Sequence, residues 1–221
     1  MKRKNNTKRN VIILACACLG IIIGAAYMFF FSALLVGNDT KYVYIDNDDT
    51  IDSVYTKLSE FSSKGTQMTG FKMLVNNSKY ADNIRTGRYG VRPGEGSFVV
   101  FRHLKNGLQT PVNLVVPSVR TVDRLAAEFS KKLMLDSATI YHALADEATC
   151  QKYGYDTATI AAMFIPNTYD IYWNVSTEKL LDRMHKECKR FWNAERKEKA
   201  QAMKLSPVEV STLASIIDEE T

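Results

Sequence analysis

The sequence predicts an α+β fold behind one membrane-spanning helix, and three observations carry that expectation. Residues 11–37, VIILACACLGIIIGAAYMFFFSALLVG, hold no charged side chain, and about 20 apolar residues suffice to cross a bilayer as a helix. Residues 41–117 alternate between short β-rich runs and helical patterns. From residue 118 onward helical periodicity dominates. A chain of 221 residues that is 46% hydrophobic can bury a substantial core in one or two domains.

The net charge of +5 is concentrated at the start. Lys2, Arg3, Lys4, Lys8 and Arg9 precede the apolar run without an acid among them, and the remaining 24 basic residues balance the 24 acidic ones. No basic surface for nucleic acid is therefore indicated. The apolar run exceeds the ~7–15 residues of a signal-peptide core, so it reads as an uncleaved anchor. Its basic flank belongs on the cytoplasmic side, which puts the bulk of the chain outside. The expected division is a basic cytoplasmic segment at 1–10, a transmembrane helix at 11–37, a small α+β subdomain at 38–110 and a mostly helical region at 111–221.

KYVYI, residues 41–45, is rich in β-formers and alternates, as a strand does. DDT then caps a helix in which Ile51, Val54, Tyr55, Leu58 and Phe61 recur at helical spacing. A second helix covers residues 67–75, with Met68, Phe71, Leu74 and Val75 on one face. TGRYGVRPGEGSF, residues 86–98, is a short strand ended by turn chemistry. Its glycines lack the Lys-Ser/Thr of a phosphate loop. Phe98, Phe101 and Leu104 mark the next helix, and TPVNLVVP, residues 110–117, the next strand.

In the second half, Val122, Leu125, Ala126 and Phe129 form one face of an amphipathic helix, and a shorter helix follows at 138–144. MFIPNTYDIYWN, residues 163–174, reads as an irregular stretch. Its aromatics and amides suit either a carbohydrate surface or a packed loop. One long charged helix is expected from Thr177 to about Met203. Cys150 and Cys188 could form a disulfide or remain separate thiols. His103, His142 and His185 are too scattered to suggest a metal site, and nothing indicates a cofactor.

The last segment, SPVEVSTLASIIDEET, opens with helix-start signals. Ser206 and Glu209 fit a capping box, and Pro207 fits the first turn. Projected at about 100° per residue, Leu213, Ile216 and Ile217 share an apolar face. Glu220 falls within about 20° of Leu213, while Asp218 and Glu219 point to the flanks. A carboxyl against an apolar wall keeps its proton to higher pH, as a general acid requires. The plainer alternative is an acid solvated at a helix end.

LASIIDEET resembles the A-S-[IV]-[IV]-E-x-E-[TA] signature of the YceG-like endolytic murein transglycosylases. Three further pieces occur in the family's order. TGRYGVRPGEGSFVVFRHLKNG resembles its G-x-Y-x-[LIV]-x-P-G module, and VNLVVPSVRTVDRLAAEFSKKL resembles the strand and helix that follow. MFIPNTYDIYW resembles its F-x-P-[DN]-T-Y loop. Three departures are Pro117-Ser118-Val119 where an acidic PEG is more usual, an Asp at 218 where the motif has Glu, and an Asn at 167 where Asp is common. The resemblance implies a LysM-like glycan-binding subdomain at 38–110 and the first part of a catalytic domain at 111–221. The family extends beyond this motif, so the chain reads as a C-terminally truncated member.

By position, the resemblance makes Glu220 the catalytic acid/base, Asp218 a supporting acid, and Asn167, Thr168 and Tyr169 substrate-facing residues. It implies cleavage of the MurNAc–GlcNAc bond of nascent peptidoglycan with formation of a 1,6-anhydro end. It further implies a bacterial inner-membrane location with a periplasmic bulk, and cell-wall synthesis machinery as neighbours. The competing expectation is a non-catalytic peptidoglycan-binding or scaffold protein of the envelope.

Overall fold

A computed structural model describes residues 3–35, 37–62, 65–118 and 121–220, with the side chains of 3–7 and 218–220 outside the description. The chain divides into two compact units, Met1–Thr110 and Pro111–Thr221, each with its own core and its own two-stranded sheet.

Unit 1 begins with helix α1 (Arg3–Ala26), whose last turn passes into a π-helical turn at Tyr27–Phe31. The segment Lys8–Phe31 is long and apolar enough to span a membrane, and it is not buried within the protein. It is thus unlike the core helix of a soluble domain. Next come strand β1 (Lys41–Ile45), helices α2 (Ile51–Ser59) and α3 (Gly65–Asn76), strand β2 (Gly87–Val91) and helix α4 (Ser97–Asn106). β1 and β2 pair antiparallel, with Val43 opposite Tyr89. The alternation of KYVYI is realised: Val43 and Ile45 face the core, and Tyr42 and Tyr44 face out. Val54, Leu58, Phe71, Tyr80 and Leu104 complete that core.

Helix α2 starts where the sequence marks it. The Thr50 and Ser53 side chains cap each other's backbone N–H reciprocally. Just before it, Lys57 reaches back to Asp46 at 3.2 Å and to Asp49. Burial pushes the Asp49 carboxyl up, but the Lys57 ammonium and the Asp46 N–H outweigh it, so the group lies below its ordinary value. A depressed carboxylate contributes stability that is present above its unfolded pKa and lost as pH falls through the folded one. Unit 1 of the parent should therefore loosen as pH falls from the ordinary aspartate range to below it, and not between there and neutrality. Asp49→Asn should remove that part of the pH dependence. Amide hydrogen exchange in α2 at several pH values measures it, and an unchanged pH profile in the variant would refute the assignment.

Unit 2 is built on strands β3 (Val112–Val116) and β4 (Asn167–Ile171), with helices α5 (Val122–Ser130), α6 (Ser137–Ala145) and α7 (Glu147–Lys152) between them. A 3₁₀ turn at Ile160–Met163 precedes β4, and helices α8 (Thr177–Phe191), α9 (Ala194–Ala202) and α10 (Pro207–Glu220) follow it. Its core gathers Leu114, Leu125, Phe129, Ile140, Leu144, Ile160 and Leu180. Asp136 and Asp146 cap α6 and α7 by accepting from Thr139 N and Thr149 N.

The structure corrects two sequence expectations here. Residues 167–171 are not an irregular loop but a strand, antiparallel to β3, with Tyr169 opposite Leu114. Tyr169 and Ile171 point inward at the two-residue period of a half-buried strand. The expected long helix from Thr177 is two helices. Asn193 breaks it by capping α9, its Oδ1 accepting from Arg196 N at 3.0 Å. Arg196 in turn donates to Phe191 O at 2.7 Å, satisfying a carbonyl at the end of α8. Cys150 and Cys188 are separate buried thiols. Leu144 O accepts from Cys150 Sγ at 3.3 Å, and Cys188 Sγ lies 3.4 Å from Tyr155 Oη. Burial pushes both thiols above the usual range.

Candidate active site

Unit 2 carries an open groove of about 800 Å³. Its floor and walls come from six places in the sequence: Pro117 and Ser118 after β3, Leu125 of α5, Ala158, Thr159, Ala161 and Ala162 around the 3₁₀ turn, Phe164, Ile165 and Pro166 before β4, Phe191 to Met203 across the α8–α9 break, and α10. Each wall has a local cause. The cap at Asn193 redirects the chain so that Trp192, Arg196 and Ala200 face the same hollow.

At the end of α9, Lys204 takes a left-handed conformation, φ 57°. Leu205 N then donates to Ala200 O and Lys204 N to Gln201 O, at 3.0 and 2.9 Å. This is a Schellman turn, and it folds α10 back toward the groove. Ser206 N donates to Glu209 Oε2 at 2.7 Å and Glu209 N to Ser206 Oγ at 3.3 Å, so the expected capping box is formed. Those bonds hold the Glu209 carboxyl below its ordinary value, and its charge is used in starting the helix.

On α10 the groove is lined by Val208, Val210, Ser211, Thr212, Ala214, Ser215 and Ile216. The expected buried face is not the one that packs. Leu213 and Ile217 are 45% and 66% exposed, and Ile216, at 44%, lies at the groove's margin. Packing is instead made by the first turns, where Val210 joins the core of unit 2, and by small residues that let α10 approach the 3₁₀ turn. Hydropathy marks a possible inner face, but small side chains decide how closely backbones approach. The rows Val208–Thr212–Ile216 and Ser211–Ser215 advance one turn at a time. They lead to positions 220 and 219, and Ala214 leads to 218. The side chains of Asp218, Glu219 and Glu220 lie outside the described residues, so only their place on the α10 backbone is defined.

The proposed substrate-facing residues divide. Asn167 directly follows the groove-lining Pro166 and is exposed, as is Thr168; Thr168 N donates to Asn167 Oδ1 at 2.8 Å. Tyr169 is 6% exposed and belongs to the core. Its hydroxyl donates to Ile165 O at 2.8 Å, and burial pushes that hydroxyl's pKa up. It braces the Ile165–Pro166 wall from behind rather than facing solvent. Among the described residues, no three His, Cys, Asp or Glu side chains gather as metal ligands.

Residues not singled out in the sequence now stand out. Arg196 lies 4.2 Å above the Phe191 ring at the groove wall; the signal was the Asn193 cap inside a charged run. In unit 1, the Arg88 guanidinium lies 3.5 Å over the outward-facing Tyr42 ring, with Tyr44 5.9 Å away. Arg88 is itself buried, so the β1–β2 ribbon presents an aromatic face backed by a guanidinium, and the outward positions of KYVYI were its signal.

Two small sheets, a predominantly helical second unit and an apolar N-terminal helix define a mixed helix-and-sheet protein that begins with a candidate membrane span. Comparison with known proteins places it more narrowly. The model of the YceG-like family matches residues 43–221, and the chain belongs to that family. Among solved structures, it is similar to a yceG-like protein from Listeria monocytogenes determined at 2.6 Å. The identity is 18% and the TM-score 0.41, over 77% of this chain and 61% of that one. The chain thus spans about three-fifths of the length of that relative. No curated protein matches it. The N-terminal helix is of the kind that forms a single-pass anchor.

Proposed function

We propose that the complete protein is a membrane-anchored endolytic lytic transglycosylase that cuts nascent peptidoglycan between N-acetylmuramic acid and N-acetylglucosamine. One observation carries the reading. The LASII helix, the FIP segment before Asn167 and the Pro117–Ser118 turn are far apart in sequence and belong to three different family motifs, yet they line one groove. A groove of about 800 Å³ falls in the range of ligand-binding clefts, about 300–1,000 Å³.

In this reading Glu220, one turn beyond Ile216, is the acid/base. Protonated, it donates to the bridging glycosidic oxygen. As carboxylate, it then takes the proton of the muramoyl C6 hydroxyl, whose oxygen attacks C1 and closes the 1,6-anhydro ring. The bond broken is C1 to the bridging oxygen, the bond formed is C6–O to C1, and the proton count balances through the one carboxyl. A hydrolase typically needs two carboxylates to recruit water; internal attack needs one. The mechanism requires that carboxyl to carry its proton when it meets the glycosidic oxygen.

Glu220 stands apart from Glu219 through the family motif, since α10's rows lead to both positions. Asp218 supports it, Asn167 and Thr168 meet the glycan at the rim, and Tyr169 holds their strand. Unit 1, with two antiparallel strands flanking two helices and the exposed Tyr42 and Tyr44 rings, serves as the LysM-like glycan contact. The anchor is uncleaved, with its basic end cytoplasmic and both units periplasmic, beside the wall-synthesis machinery.

The test is incubation of purified glycan strands with the complete gene product, followed by mass spectrometry. Release of internal fragments ending in 1,6-anhydromuramic acid is expected. Binding without fragmentation would reject the enzyme in favour of a wall-binding scaffold.

A further inference from the structure

The end of the anchor is not a tether. The segment from the π-helical turn to Leu35 is built into unit 1. Leu34 and Leu35 are 0% and 4% exposed in its core. Leu34 N donates to Glu95 O at 2.8 Å, and Gln67 Nε2 donates to Ser32 Oγ at 2.9 Å. Gln67 is itself held in place, because the buried Ser97 hydroxyl donates to its carbonyl at 2.7 Å.

Two glycines make this contact possible. A Cβ on Gly70 would stand 2.0 Å from Phe29 O, and one on Gly96 2.5 Å from Phe30 O. Both neighbours are backbone atoms that cannot swing aside. The α3 backbone and the turn before α4 therefore lie directly against the last turn of the apolar helix.

Depth follows from length. At about 1.5 Å per residue, some 20 residues from Val11 cross a hydrocarbon core of about 30 Å and end at Phe30. Phe29 to Phe31 then mark the boundary between acyl chains and headgroups, and the headgroup layer beyond is about 5–7 Å thick. The Phe98 ring centroid lies 5.9 Å from that of Phe31, so Phe98 stands beside this boundary. Gly70, against Phe29, lies at the same level. Phe31, Phe98 and Met73 are 52%, 40% and 45% exposed, and Met73 and Phe98 lie on α3 and α4, the two helices that pack against the end of the apolar helix. Aromatic side chains favour such a boundary.

We propose that unit 1 is seated on the lipid surface at the C-terminal end of α1, with Phe31, Phe98 and Met73 in the headgroup layer and Gly70 and Gly96 holding it there. This rests on the anchor reading above and is independent of the catalytic one. The occupant of the apolar patch is the bilayer that α1 itself crosses. The consequence is a fixed height and orientation of unit 1 above the membrane, rather than a module sampling a volume on a flexible leash.

The experiment uses the full chain in lipid nanodiscs, with Cys16 and Cys18 replaced by alanine and a nitroxide attached through Phe98→Cys. Collision with oxygen is compared with collision with a water-soluble nickel chelate. We expect the label at 98 to favour oxygen, as a headgroup-buried site does. A flexible glycine–serine spacer inserted between Phe31 and Ser32 leaves Leu34 and Leu35 in the core, and should return the label to aqueous behaviour. Gly70→Val should do the same where it folds. A label that is aqueous in the uninterrupted chain overturns the seating. So does a label that stays lipid-exposed after the spacer, because the anchor would then not be what positions it. Failure of the protein to enter nanodiscs at all would instead overturn the anchor reading.

Discussion

Glu220→Gln in the complete protein should abolish formation of 1,6-anhydromuramoyl ends while leaving the fold and glycan binding in place. The amide keeps the shape of the acid but neither donates nor accepts the proton. Loss of a general acid or base costs ~10²–10⁴ in rate, and here one residue serves both transfers, so the upper end is expected. Asp218→Asn and Glu219→Gln should cost much less. The α10 rows make Glu219 the informative control, because Ser211 and Ser215 line the groove and lead toward it. Muropeptide analysis after timed digestion decides the matter. A Glu219→Gln variant crippled as severely as Glu220→Gln would transfer the assignment to the neighbouring acid or divide it between the two.

The second large effect falls on the core that supports the groove. Phe129 is fully buried on α5, and its ring lies 5.8 Å from that of the groove-lining Phe164. Phe129→Ala should cost about 3–5 kcal/mol, the range for truncating a buried aromatic. The protection of the β3 and β4 amides against hydrogen exchange reports unit 2 directly. Activity should fall too, because Phe164 would lose the surface that holds it at the groove. A loss of protection below about 1 kcal/mol would show that the α5 side of this core can be emptied without consequence.

Much of the architecture was legible because it follows from local rules. KYVYI alternates, and its inward and outward residues are the observed ones. The capping pairs Thr50–Ser53 and Ser206–Glu209 mark where α2 and α10 begin. The charge-free run forms a helix as expected, but only as far as Phe31: Leu34 and Leu35 belong to the core of unit 1 and not to a membrane span over 11–37.

What was missed depends on partners distant in sequence. Residues 167–171 become a strand because β3 is there to pair with them, and Pro166 with its aromatic neighbours masked the period of two. The break at Asn193 was legible as a cap, but a surrounding run of Lys and Glu reads equally well as continuous helix. Tyr169 looked like a sugar platform because aromatics serve both surfaces and cores, and only burial separates the two uses.

The groove itself shows the same limit. Leu213 and Ile217 carry the hydrophobic signal, yet Ser211 and Ser215 make the contact. A hydropathy projection selected Glu220 through the first pair. The packing observed on the second pair supplies no such preference, so within this chain the weight on Glu220 comes from the motif that the family shares.

The most direct measurement of the central claim is the fate of water during cleavage. Purified glycan strands are digested by the complete protein in oxygen-18 water, and the new muramoyl ends are weighed. Internal attack by the C6 hydroxyl predicts ends lighter by one water than a hydrolysis product, with no heavy oxygen incorporated. Reducing ends carrying the label at C1 would show that water is the nucleophile, and would contradict a single carboxyl closing an anhydro ring.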